Sequence, residues 1–356
     1  MTKRDGGRRP SVYDVARHAD VSIATVSRVL RGSAPVATST RQRVLAAVDE
    51  LRWRPSRLAR AFVAQSHGAI GIVFPDLGGP YYAQVIAGFE RECVERGAAA
   101  LILATHGRDN AAQLVMDLAD RVDGIAVMGR TVGDEFVADL SRRDLPAVVL
   151  ARPPVGTIPA VRASNLAMAE TLARHVLDHG RRGVVFVGDP DLSPDVSERW
   201  RGVRRALRRA GVDTTTALKS CGGFDVEHGY KAGLELFGAG NDPEAVMCAN
   251  DEVATGVVSA AEVSGLRIPD DVAVTGWDDT TTASRQRPSL TTVQQPMREL
   301  GARAAAMLFA LIDGADVKSA VLRTSLVIRE SCGCRPQPGG VGQLRAANRT
   351  QHQGRP

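Results

Sequence analysis

The stretch that most constrains the fold is Val21–Leu30, VSIATVSRVL, read together with the run before it. Ser11 opens an amphipathic segment, SVYDVARHAD, with Val12, Val15, Ala16 and Ala19 at helical spacing. Ser11 is a natural N-cap, and Asp14 three residues on is close to a capping-box arrangement. Asp20-Val21-Ser22 interrupts the run, and Ser22 can cap a second helix that turns Val26, Val29 and Leu30 inward. Two short helices, a three-residue turn and a shared apolar seam describe a helix-turn-helix. Ile23, Ala24, Thr25, Ser27 and Arg28 then remain on the outer face, where a recognition helix meets a major groove.

The alternative is an ordinary helical hairpin, and charge separates the two. Residues 1–67 hold thirteen Lys or Arg and five Asp or Glu, a net of +8, whereas residues 68–330 hold 28 and 35, a net of −7. Positive charge concentrated on a small helical unit is the electrostatic footprint of a polyanion binder.

At 356 residues the chain has room for a small module and a large core. No apolar run approaches a membrane span, and the basic N-terminus has no hydrophobic core of a signal peptide, so a cytoplasmic protein is expected. Five scattered cysteines suit a reducing compartment. Cys332 and Cys334 form the one close pair, the nearby sequence offers no further ligands, and these thiols read as incidental. Neither a metal nor a cofactor is expected.

In chain order, residues 1–10 read as a disordered basic arm and 11–55 as a three-helix head. Its third helix, from Thr38 or Ser39 to Leu51, has Val44, Leu45, Val48 and Leu51 on one face. Residues 56–67 read as a short hinge helix capped by Ser56, too short to be stable alone in water. From 68 to 330, strands alternate with helices, which means parallel sheets covered by helices. The alternation restarts after about Val161, so the expected fold is α/β with two lobes facing a cleft, and crossovers near 161, 290 and 323. Helix Arg199–Gly211 and a last strand near Leu322–Ile328 belong to this reading, and everything from 331 to 356 reads as a flexible tail.

Several motifs agree in order and spacing: SVYDVARHADVSIATVSRVLRG, WRPSRLARAF, PDLGGPYYAQVIAGFE, SERWRGVRRAL, CANDEVATGVVSAAEVSGLRIPDDVAVTGWDD and RPSLTTVQQP. Over about Ser11 to Ser331 the chain resembles the LacI/GalR family of bacterial transcriptional regulators. The resemblance implies a homodimer of DNA-binding heads, hinge helices and periplasmic-binding-protein-like cores, acting as a repressor on a pseudo-palindromic operator. It implies DNA contacts from Tyr13, Ser22, Ile23, Ala24, Thr25, Ser27 and Arg28 in the head, and from Ser56, Arg57, Ala59 and Phe62 in the hinge. Phe62 stands where a leucine usually wedges into the minor groove. An effector, a sugar or sugar derivative first and a nucleoside or purine second, would meet Asp76, Tyr81, Tyr82, Arg130, Arg199, Asn250, Trp277 and Asp278, with Trp277 stacking on a ring. Asp251 and Asp279 read instead as helix caps or loop anchors, and Arg199 has Asp195 and Glu198 as alternative partners.

The chain departs from the family's pattern at Ala151-Arg152, at Ser164, at the His-free loop GRRGVVFVG and at Gly79-Pro80, which leaves the ligand class open. Two other function classes fit less well. A solute-binding protein has no use for a basic head, and an enzyme would need a phosphate loop, nucleophile elbow or metal cluster that the sequence does not display.

Overall fold

The structure is a computed structural model that describes residues 10–31, 35–53, 67–212, 217–218, 222–238, 242–335 and 343–344. The expectations for the basic arm before Pro10, for Ser56, Arg57, Ala59 and Phe62, and for most of the tail lie outside the described residues. The chain divides into two compact units, Met1–His67 and Gly68–Pro356.

In the first unit, α1 (Val12–His18), α2 (Ile23–Arg31) and α3 (Thr38–Glu50) close a core of Val15, Ala16, Ala19, Val26, Val29, Val44, Ala47 and Trp53. The Asp14 carboxylate accepts from the Ser11 amide at 2.8 Å and from its hydroxyl at 2.6 Å, fixing the start of α1. Asp20 takes a left-handed φ of 50°, which short polar side chains tolerate, and the Val21 amide donates back to the Ala16 carbonyl at 3.0 Å. Ser22 Oγ then accepts from the Thr25 amide at 3.1 Å and caps α2. Two positions depart from the expected seam: Leu30 and Leu45 are 38% and 47% exposed. Val29 and Ala47 take the inward places, because the core of three short helices has room for a narrow stripe only.

The second unit begins with β1 (Ala69–Phe74), α4 (Pro80–Glu95), β2 (Ala99–Ala104), α5 (Ala111–Ala119), β3 (Ile125–Met128), α6 (Asp134–Ser141), β4 (Ala147–Leu150) and β5 (Ala160–Ala163). It continues with α7 (Leu166–Asp178), β6 (Val184–Val187), α8 (Pro194–Arg209), β7 (Ala217–Leu218), α9 (Val226–Gly238), β8 (Ala245–Cys248), α10 (Asp251–Val263) and β9 (Ala273–Thr275). It closes with α11 (Thr281–Arg285), β10 (Thr292–Gln294), α12 (Met297–Ile312), β11 (Ala320–Leu322), β12 (Ser325–Val327), a 3-10 turn at Glu330–Cys332 and β13 (Gln343–Leu344).

One parallel sheet runs β11-β5-β4-β3-β1-β2 and a second runs β7-β6-β8-β9, while β10, β12 and β13 form a small antiparallel sheet. Central strands are apolar on both faces because helices cover both. Each lobe therefore has two core layers, one on either side of its sheet. Both sheets start with a strand whose two neighbours lie on opposite sides, β1 between β2 and β3 and β6 between β7 and β8. Such a switch point opens a crevice beyond the C-terminal strand ends, where ligands of doubly wound sheets bind.

Three boundaries differ from the sequence reading. Helix α8 starts at Pro194, five residues before Arg199, since proline suits the first helical turn. The expected last strand is two: β11 pairs with β5 in the first lobe and β12 with β10 in the second. The packed chain also runs past Glu330, with Ser331 and Cys332 fully buried. Ser331 Oγ donates to the Val274 carbonyl at 2.6 Å and accepts from the Thr291 amide at 2.8 Å, which fastens this turn against β9. The flexible tail cannot begin at 331.

Candidate functional site

Within the head, the outer face of α2 presents Ile23, Ala24 and Arg28 to solvent, with Thr25 and Ser27 half-buried beside them and Ser22 exposed at the cap. Tyr13, at the start of α1, is 63% exposed. An exposed tyrosine and a basic side chain on a rigid three-helix frame are suited to phosphate and base-edge contacts.

In the second unit a cavity of about 630 Å³ lies between the lobes at the C-terminal strand ends. Asp76, after β1, holds its own loop: its Oδ1 accepts from the Leu77 amide at 2.6 Å and the Gly78 amide at 3.2 Å, and those bonds lower its pKa. Tyr81 and Tyr82 open α4 and both line the cavity, meeting edge to face at 5.5 Å. Burial raises both hydroxyls, and Asp195 and Asp278 push Tyr81 further, so both are neutral donors at ordinary pH. Both rings also pack against the first-lobe core.

Arg130 follows β3 with a φ of 74°, and its guanidinium lies 4.5 Å over the Phe224 ring of the other lobe. Close approach of the lobes also explains Gly79, with φ 82°. A Cβ there would stand 2.3 Å from Glu252 Oε2.

Arg199 is buried on α8. Its Nε donates to Asn165 Oδ1 at 3.0 Å, its Nη1 to the Ala249 carbonyl at 2.7 Å, and its Nη2 stands 3.9 Å from Asp195. Glu198 pairs instead with Arg162, at 2.6 Å. Asn250 ends β8 and caps α10, accepting from the Val253 amide at 2.8 Å and donating to the Phe224 carbonyl at 2.8 Å. Asp251 is an internal anchor, accepting from the Thr280 amide at 2.7 Å and the Thr292 hydroxyl at 2.6 Å. Asp279 pairs with Arg329 at 2.5 Å.

Asp278 enters the cavity from a backbone φ of 115°, a conformation that a non-glycine residue keeps only where its surroundings hold it. Gln295 Nε2 donates to its Oδ1 at 2.6 Å. Burial is the main force raising Asp278, to about 7, with Arg199 pulling the other way. Trp277 does not line the cavity. It is 2% exposed in the second-lobe core, and Arg199 lies 4.7 Å over its ring, so it supports the arginine instead of stacking on a ligand. Asp195, Phe224, Glu252 and Gln295 line the cavity and were not among the expected residues. Asp195, weighed in the sequence only as a partner for Arg199, lies one helical turn before it on α8, which starts at Pro194.

Beyond the cleft, the Cys332–Cys334 pair is not isolated. His175 and His179, on the last turn and cap of α7, face both sulfurs, and the four ligand-type atoms lie within 4.8 Å of one another.

A family model described as bacterial regulatory proteins, lacI family, matches residues 11–56, and one described as a periplasmic binding protein-like domain matches residues 173–332. The chain is 31% identical over 330 residues to the HTH-type transcriptional repressor PurR of Photobacterium profundum, covering 90% of this chain and 98% of that protein. The crystal structure of the lac repressor dimer bound to operator and the anti-inducer ONPF matches with a TM-score of 0.81 at 27% identity, over 91% of this chain and 99% of that one. A complex of the transcriptional regulator CelR with cellobiose matches with a TM-score of 0.69 at 29% identity, over 91% and 100%. Among the described residues, no helix is long and apolar enough to cross a membrane.

Proposed function

Because the chain belongs to the LacI family of bacterial regulatory proteins and is a DNA-binding transcriptional regulator, we propose that it represses as a homodimer on a pseudo-palindromic operator and releases or grips that operator when a neutral sugar occupies the interlobe cleft. In this reading Tyr13, Ser22, Ile23, Ala24, Thr25, Ser27 and Arg28 contact DNA, and two heads meet two half-sites. A ligand that prefers one lobe arrangement over the other changes operator occupancy by its difference in affinity for the two.

The observation that carries the ligand class is the charge of the cleft. Asp76 and Asp225, both with lowered pKa values, stay charged, Asp195, Glu252 and Asp278 add carboxyls that burial raises, and Arg130 and Arg199 already have partners within the protein. That wall repels an anionic phosphate or carboxylate ligand. It suits hydroxyls, which donate to carboxylates and accept from the guanidinium and phenol donors. The Asn165 side chain orients Arg199, and Trp277 backs it. The relative solved with cellobiose agrees with the sugar reading.

A thermal-shift screen of the full chain with mono- and disaccharides, polyols, nucleosides and purines tests this. A sugar should raise the unfolding temperature, since a ligand of the folded state alone stabilises it by an amount that grows with the logarithm of ligand concentration over Kd. A rise with a purine or nucleoside and none with any sugar overturns the ligand class.

A further inference from the structure

We propose that His175, His179, Cys332 and Cys334 form a tetrahedral zinc site that fastens the end of the folded core to helix α7. Two imidazoles and two thiols converge from segments more than 150 residues apart. Cys332 Sγ lies 3.3 Å from His175 Nε2, and Cys334 Sγ lies 3.7 Å from His175 Nε2 and 3.2 Å from His179 Nε2. Zinc binds nitrogen at ~2.0–2.1 Å and sulfur at ~2.3 Å, which implies tetrahedral edges of roughly 3.3–3.8 Å. These three separations fall in or next to that range, and all four ligand atoms lie within 4.8 Å of one another, so the side chains would close by up to about 1 Å around an ion.

The local sequence accounts for the convergence. His175 and His179 are four residues apart, one helical turn, and so share a face. Gly333 between the cysteines takes a φ of 99°, a left-handed turn that sends both sulfurs to the same side. The Thr291 hydroxyl stands 3.1 Å from Cys332 Sγ and can donate to a thiolate, the kind of outer support that tunes metal ligands. Cys332 is buried, Cys334 and His175 are half-buried and His179 is exposed, which gives the site a closed floor and an entry path. A nitrogen–sulfur set with no open position suits a structural zinc ion in place of a catalytic one. On binding, each thiol passes its proton to solvent and the sulfur's electron pair goes to the metal.

The alternative is a hydrogen-bonded thiol–imidazole cluster that takes no metal. Reduced, chelator-stripped full chain titrated with Zn(II) or Co(II) separates the two. One ion per chain is expected, with a thiolate-to-cobalt charge-transfer band and the intense visible bands of tetrahedral cobalt, and with a higher unfolding temperature once zinc is bound. Cys334→Ser and His179→Asn, at the more accessible positions, should each weaken binding by more than about tenfold, since even an outer partner of a ligand is worth ~10–100-fold. Cys221→Ser leaves the four ligands in place and should bind as the wild type does. No ion bound, an octahedral cobalt spectrum without a thiolate band, or equal binding by Cys334→Ser overturns the proposal. The wild-type cobalt spectrum decides even where a variant fails to fold.

Discussion

Asp278 sets how the cleft should respond to pH. Its carboxyl is buried, raised to about 7, and bonded on one oxygen by Gln295. A protonated carboxyl loses most of its capacity to accept from a sugar hydroxyl, so ligand affinity should rise with pH through about 7 and level off above it. One linked proton limits the slope to about tenfold per pH unit. Asp278→Asn should bind more weakly and show a flatter profile, and calorimetric titration with the sugar from the thermal screen measures both. A profile that falls with pH would mean that the ligand accepts from Asp278 instead. Asp278 was legible in the sequence because it follows a strand end. Its neighbour Trp277 was misread because the chain bends after β9 and Asp278 takes a φ of 115°, so position next to a cleft residue does not fix which way a side chain points. Trp277 lies buried in the core, and there it carries Arg199.

At the scale of elements, α4 reaches the cleft only because α12 lets it come close. A Cβ at Gly301 of α12 would stand 1.9 Å from the Val85 carbonyl, and one at Gly88 of α4 would stand 1.9 Å from the Arg298 carbonyl. Backbone cannot yield as a side chain tip does, so Gly301→Ala should destabilise the second unit by ~1–3 kcal/mol or more, as overpacked cores do. Chemical denaturation measures this, and an unchanged midpoint would show that the helices slide apart at little cost. The same push displaces Tyr81 and Tyr82 at the start of α4. Alternation of strands and helices was legible because apolar runs and 3.6-residue periods differ. Element ends were less so: α8 was read from Arg199 although Pro194 starts it, and the last strand was read as one although the crossover expected near 323 divides it into β11 and β12. The His175–Cys334 cluster was not legible, since spacing along the chain says nothing of ligands that folding brings together.

At the scale of the molecule, in the proposed reading, the head supplies sequence recognition and the cleft supplies its control. Arg28 on the outer face of α2 can donate two bonds to a guanine, worth ~1–3 kcal/mol of discrimination. Arg28→Ala should therefore lose affinity for a selected duplex while its affinity for random duplex stays nearly unchanged, as competition gel shifts would measure. Equal loss on both would make it a phosphate contact. The coupling of cleft to head is tested most directly by the affinity of the full chain for a duplex selected from random sequence, measured by fluorescence anisotropy with and without the sugar that raises its unfolding temperature. The sugar should change that affinity by roughly 5–150-fold, the usual span of coupling between two sites. Asp278→Ala should abolish the change and leave ligand-free DNA binding within a few-fold. A sugar that binds the wild-type chain and leaves its affinity for DNA unchanged would contradict the account.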